Sequence, residues 1–233
     1  MIRLFLFGRR LPSLTRDEFQ HGLLHAHAPL VRQCEGFMAQ CNGYMQNHFG
    51  TQISNSAGRP LITEPRFDNC SEFWYESIDH ILKSYNNDDY FRMLRPDENT
   101  RTDGNTRMAL IAQETVTFED PSYQRMPAQS KVLVLGREPA GTNVSAMEDA
   151  EGLTVQCVRK TENRVLGTMD FLRARISDDV VPEFNSITTY SIANRPQDGE
   201  TATGGRQFSL FREARSDQAA LWARSHKIFG SAA

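Results

Sequence analysis

No stretch of this sequence approaches the roughly 20 consecutive apolar residues that a membrane helix needs, so no transmembrane span is expected. Positive charge is in short supply too: 26 Lys and Arg stand against 29 Asp and Glu, a net charge of −3. With no basic run interleaved with aromatics, nothing favours a nucleic acid as partner. The four cysteines, Cys34, Cys41, Cys70 and Cys157, form no C-x-x-C and have no zinc-ribbon spacing. They are expected as reduced, partly buried thiols of a cytoplasmic protein rather than as a disulfide pair. A G-x-S-x-G nucleophile elbow is missing. Residues 132–141 (VLVLGREPAG) have the glycine spacing of a phosphate loop at Gly136 and Gly141, but Thr142 and Asn143 follow where Lys and then Ser or Thr are required. The apolar start, MIRLFLFGRR, lacks a basic leader and a small-residue cleavage site, and reads as a strand rather than a signal peptide.

What the sequence does contain is a histidine-rich helix at residues 15–31, TRDEFQHGLLHAHAPLV. Thr15 and Glu18 form a capping box, and Asp17 and Glu18 place negative charge on the first turn. Pro29 should end or kink the helix. At about 100° per residue, His27 falls near the apolar stripe of Phe19, Leu23 and Leu30, whereas Glu18, His21 and His25 lie opposite. Strands are expected at 2–7, 44–49, 72–76 and 108–118, with a second helix at 77–85 carrying Ile78, Ile81, Leu82 and Tyr85 at helical spacing. Residues 50–65 are loop-like in composition, long enough for a functional flap. The order strand, helix, strand, strand, helix, strand is the ferredoxin-like split βαβ arrangement, an α+β fold.

Residues 121–128 read as a linker. Beyond it, strands are expected at 131–135, 153–160, 171–176, 187–193 and 208–213, with a helix at 217–229 (DQAALWARSHKIF). This half reads as a diverged copy of the first, giving domains at 1–120 and 129–233. It has no second histidine helix: residues 139–152 contain no histidine.

The segment Phe19-x3-Leu23-x3-His27-Ala28-Pro29-Leu30, the later Tyr44-Met45-Gln46-Asn47-His48 and the pair Phe67-Asp68 followed by Trp74 together resemble the EthD family of the dimeric α+β barrel superfamily. The resemblance covers about residues 1–118. It implies a four-stranded sheet with two helices on one face, its other face packed on a second sheet to form a barrel. That second sheet would come from a homodimer partner or from the other half of this chain. It also implies a cofactor-free enzyme acting on a small aromatic or cyclic compound, such as a lactone isomerase, a polyketide cyclase or dehydratase, or a quinone-forming monooxygenase. Other members of the superfamily bind haem.

Among single residues His27 carries the most weight, since one imidazole can both take and return a proton near neutrality. The plainer alternative is a core histidine bonded to a backbone carbonyl beside Pro29. His48 shares a strand face with Tyr44 and Gln46, while Asn47 points to the other. His27 and His48 would flank one pocket as catalytic residues. Tyr44, Asn47, Asp68 and Trp74 are the substrate-binding candidates: Tyr44 to orient a carbonyl or phenol, Asp68 to orient a histidine, Trp74 as an apolar wall. His21, His25 and Glu18 have metal-ligand spacing, but no fourth ligand is evident, so no metal site is assigned. The expectation is a lyase, isomerase or dehydratase working without a cofactor. A cofactor-free or haem-dependent monooxygenase and a non-catalytic binding or assembly module are the alternatives.

Overall fold

Strand β1 (Ile2–Gly8) is covered on both faces, which is why its apolar residues run on without alternation. Leu4 and Leu6 lie under helices, whereas Phe5 and Phe7 enter a second core on the far side of the sheet. The computed structural model describes residues 1–50, 52–56, 59–63, 65–121, 123, 129–136, 146–148, 154–170, 175–177, 182, 184–193 and 219–230.

After β1 come α1 (Arg16–Gly22), a π-turn (Leu23–His27), α2 (Ala28–Gln33) and α3 (Glu35–Met38). Strand β2 (Gly43–Phe49) leads to a hairpin of β3 (Gln52–Ser56) and β4 (Arg59–Thr63), then to β5 (Asn69–Tyr75). Helix α4 (Ile78–Tyr85), capped by the Ser77 hydroxyl, is followed by a second π-turn (Tyr90–Leu94), α5 (Arg95–Asn99) and β6 (Met108–Glu119). The remaining elements are strands: β7 (Gln129–Gly136), β8 (Ala146–Glu148), β9 (Thr154–Asp170), β10 (Arg175–Ser177), β11 (Ser186–Ala193) and β12 (Ala219–Gly230).

In the first half the sheet order is β6–β1–β5–β2, the ferredoxin-like order. The second half repeats it as β12–β7–β11–β9. Each half offers its last strand to the second strand of the other: β12 pairs β2, and β6 pairs β9 from Leu110↔Thr168 to Glu119↔Arg159. The ring β9–β11–β7–β12–β2–β5–β1–β6 therefore closes on itself as an antiparallel α+β barrel built from one chain, without the free edges of an open sheet. Helices cover the outer face of the first half. There Tyr44 stacks on Phe73 at 4.3 Å, and Phe37, Tyr85 and Tyr90 form an edge-to-face cluster. Each such fully buried side chain contributes about 1.5–3 kcal/mol by leaving water.

The barrel interior is polar as well as apolar. Glu72 accepts from Lys131 Nζ at 2.9 Å and pairs with Arg3 at 3.2 Å. Arg3 reaches Glu114 at 2.6 Å, and Arg159 reaches the same carboxylate at 3.3 Å. Lys131 and Arg159 belong to the second half and the two glutamates to the first, so the network joins the halves.

Several sequence expectations are corrected. In place of the helix expected at 217–229, residues 219–230 are strand β12, because that segment is held between β2 and β7, and pairing on both sides overrides the helix propensity of its Ala, Leu and Lys residues. Residues 50–65 include a hairpin rather than a plain loop. The strand expected at 153–160 runs to Asp170 as β9, and the one expected at 171–176 is seen only as β10. Residues 208–213, and most of 121–128, lie outside the described residues. The π-turn and helix at 90–99 had no counterpart in the sequence reading. All four cysteines are free and buried. Among the described residues no helix is long and apolar enough to cross a membrane.

Candidate functional site

The candidate site lies between the sheet of the first half and its helices. Its position is set by the helix that begins at Thr15, whose hydroxyl accepts from the Glu18 N–H at 3.2 Å while the Glu18 carboxylate accepts from the Thr15 N–H at 2.8 Å. The bonds from the Thr15 backbone and then its hydroxyl hold the Glu18 carboxyl below its ordinary value. Glu18 is thus engaged in capping, and the exposed His21 and His25 rings rest against each other at 4.4 Å. Among the described residues no group of three or more His, Cys, Asp or Glu is placed to hold a metal.

Pro29 does not end the helix. The chain instead takes a π-turn just before it, in which the Ala28 N–H reaches back to the Leu23 oxygen. A π-turn absorbs one extra residue within a helix and is frequent at functional sites. It ends at His27, which it leaves buried at 6 % exposure. The second π-turn ends two residues before Pro96, and the next residue is Asp97.

Asp97 and His27 meet. Oδ2 of Asp97 lies 2.9 Å from Nδ1 of His27, and Arg101 grips the same carboxylate through Nη2 at 2.8 Å and Nε at 3.1 Å. Burial raises the Asp97 pKa, but the His27 bond and Arg101 outweigh it and bring the carboxyl down to about 2. An ionised carboxylate only accepts, so Nδ1 of His27 carries the hydrogen and Nε2 is left as the basic nitrogen. Arg101 itself lies directly over Gly22, where a Cβ would collide with its guanidinium.

His27 opens onto a cavity of about 60 Å³. Leu23, the β5 residues Asn69, Ser71 and Phe73, and Glu98 and Arg107 also line it. Arg107 pairs with Glu98 at 3.3 Å, and Tyr90 donates to Glu98 at 3.1 Å. By water volume this is room for a few small groups, enough for the reacting end of a small molecule.

None of the other sequence candidates lines this cavity. Tyr44 and His48 lie on the helix side, linked through Gln46, whose Nε2 donates to the Tyr44 hydroxyl at 2.8 Å and whose Oε1 is 3.0 Å from His48 Nε2. Neither lines the cavity, and the His48 ring packs against His226 at 4.9 Å. Burial pushes the Tyr44 phenol well above its ordinary pKa. Asn47 faces the barrel, donating to Glu72 at 2.8 Å and accepting from Ser225 at 2.6 Å. Trp74 also faces the barrel, under the Arg3 guanidinium at 4.7 Å. Strand alternation puts both on the side of the sheet away from His27. Asp68 orients no histidine: it accepts from the Arg10 N–H at 3.0 Å and from Arg16 Nε at 3.3 Å, tying the start of the helix to β5.

The sequence reading missed Asp97, Arg101, Asn69 and Ser71. The i, i+4 spacing of Asp97 and Arg101 just after Pro96 was the available signal.

Residues 11–105 match the family model described as EthD domain. No curated protein matches the chain. A crystal structure titled as a study of an anthrone oxidase-like protein aligns over 100 % of this chain and 96 % of its own, at 11 % identity and a TM-score of 0.47.

Proposed function

We propose that this chain, whose residues 11–105 match the EthD domain model, is a cofactor-independent acid/base enzyme acting on a small aromatic or lactone-like molecule. The observation that carries the reading is the His27–Asp97 pair at 2.9 Å on the wall of the cavity. Asp97 fixes the imidazole with Nε2 free to take a proton and stabilises the imidazolium that results. Leu23 and Phe73 supply apolar contact, and the polar β5 wall faces the substrate end. Lyase, isomerase and dehydratase reactions all need this one proton shuttle.

Solvent deuterium incorporation into 2-indanone, a small aromatic ketone with acidic C–H bonds, tests the proposal. The wild-type chain should accelerate the exchange, and His27→Gln should lower the rate by about 10²–10⁴ while remaining folded. A folded His27→Gln chain with an unchanged rate refutes the proposal and leaves His27 as a structural residue of a binding module.

A further inference from the structure

Glu98 follows Asp97 in α5, so the carboxylate that orients His27 and a second carboxylate on the same cavity are neighbours in sequence. The Glu98 backbone is fixed, its oxygen accepting from the Arg101 and Thr102 N–H groups at 3.1 and 2.8 Å. Its side chain is engaged on one oxygen alone. The Tyr90 hydroxyl donates to Oε2 at 3.1 Å, and Arg107 Nη1 donates to the same Oε2 at 3.3 Å. Among the described residues nothing donates to Oε1, although the side chain is only 20 % exposed. Arg107 gives a second bond, from Nη2 to Asn99 Oδ1 at 3.3 Å, and its guanidinium carries further N–H groups beyond these two. Both residues line the His27 cavity. The lining therefore holds a cation that can only donate beside a carboxylate oxygen that can only accept, each with capacity unused.

Those two demands select the ligand. A carboxylate would accept from Arg107 but meet the charge of Glu98, and an ammonium would donate to Glu98 but meet the guanidinium. A carbonyl or ether oxygen accepts and leaves Oε1 without a donor, which costs free energy in a part-buried site. A hydroxyl group both accepts and donates through a single heavy atom, whereas a carboxamide needs several in a cavity of about 60 Å³. We infer that Glu98 and Arg107 hold a hydroxyl substituent of the substrate, its hydrogen donated to Glu98 Oε1 and its oxygen accepting from the Arg107 guanidinium. The inference rests on the acid/base reading of this cavity, whose substrate it narrows to a hydroxylated aromatic molecule. No bond forms or breaks in this contact: Glu98 and Arg107 bind, and proton transfer is left to His27.

Phenol and its methyl ether, anisole, are the probes, since they share a ring and an acceptor oxygen and differ by the hydroxyl hydrogen. Titrated into the full chain near neutral pH, phenol should bind, and anisole should bind about 10- to 100-fold more weakly, the loss expected when a hydrogen bond to a charged group goes unmade. In Glu98→Gln the amide oxygen must face Arg107, which only donates, so an NH₂ group takes the place of Oε1 and cannot accept. Phenol and anisole should then bind within about threefold of each other. Where Glu98→Gln does not fold, intermolecular NOEs in the wild type locate the ligand, with contacts expected from the phenol ring to the Arg107 Cδ protons. Equal affinity of the wild type for phenol and anisole, tighter binding of benzoate than of phenol, or no phenol binding at millimolar concentration overturns the inference. So does a wild-type preference that persists in Glu98→Gln, or phenol NOEs only to residues outside the cavity. The 2-indanone exchange reads the underlying assignment separately. If His27→Gln loses exchange while phenol and anisole bind the wild type equally, the hydroxyl contact alone is misassigned. If His27→Gln exchanges like the wild type, the acid/base reading fails while the phenol-to-anisole ratio still decides Glu98 and Arg107.

Discussion

Asp97 is engaged on two sides, and that makes it a sharp place to test the site at the scale of single residues. Arg101 donates to one side of the carboxylate and His27 to the other. In Asp97→Asn the amide oxygen has to face Arg101, because an NH₂ group cannot accept from a guanidinium. The NH₂ group then faces His27, and Nδ1 must accept. The imidazole hydrogen is forced onto Nε2, the nitrogen that has to be free, and turnover should fall by about 10² or more with the fold retained. Kinetics and histidine NMR on the same sample check this. The pH dependence has a definite sign. Asp97 titrates at about 2 in the folded chain against about 3.9 when unfolded, so its contribution to stability is complete above pH ~4 and is lost as pH falls toward 2. Asp97→Asn should flatten that part of an acid-unfolding curve.

At the scale of elements, the two π-turns carry the site: one presents His27, and the other precedes the helix bearing Asp97. Gly22 lets the two helical runs approach. Its backbone is ordinary α-helix, so Gly22→Ala should gain up to about 1 kcal/mol of helix propensity. The new methyl group also displaces Arg101 from Asp97. The expected outcome is a chain of nearly unchanged thermal stability with clearly reduced turnover, a separation that melting and kinetics together reveal. Much of this layer was legible in the sequence. The Thr15 capping box and the helix at 78–85 were readable because caps and periodicity are local signals. Strand β12 was not, because its strand character comes from β2 and β7, distant in sequence. His27 was legible from its place on the apolar stripe. That Asp97 is its partner was not, since the local spacing of Asp97 and Arg101 says nothing of a contact 70 positions away.

For the whole molecule, the charged barrel interior ties the two halves together. Arg3, Glu72 and Lys131 look solvent-facing in the sequence, yet side-chain exposure is 1 %, 0 % and 2 %. Glu72→Gln would take the carboxylate from buried Lys131 and leave Arg3 with Glu114 alone, and chemical denaturation should show a loss of about 3–5 kcal/mol. Burial works against ionisation of Glu72, but Lys131 and Arg3 prevail and lower its pKa. Its stabilisation is therefore present above the unfolded carboxyl range and is lost as pH drops through the lower folded value.

The central claim is that Asp97 holds His27 as a base directed into the cavity. Nitrogen-15 NMR of the His27 ring in the wild-type chain near neutral pH tests it most directly. The account predicts that the neutral form of the ring carries its hydrogen on Nδ1 with Nε2 bare, and that Asp97→Asn reverses this. A His27 protonated on Nε2 in the wild type, or unaffected by Asp97→Asn, would contradict it.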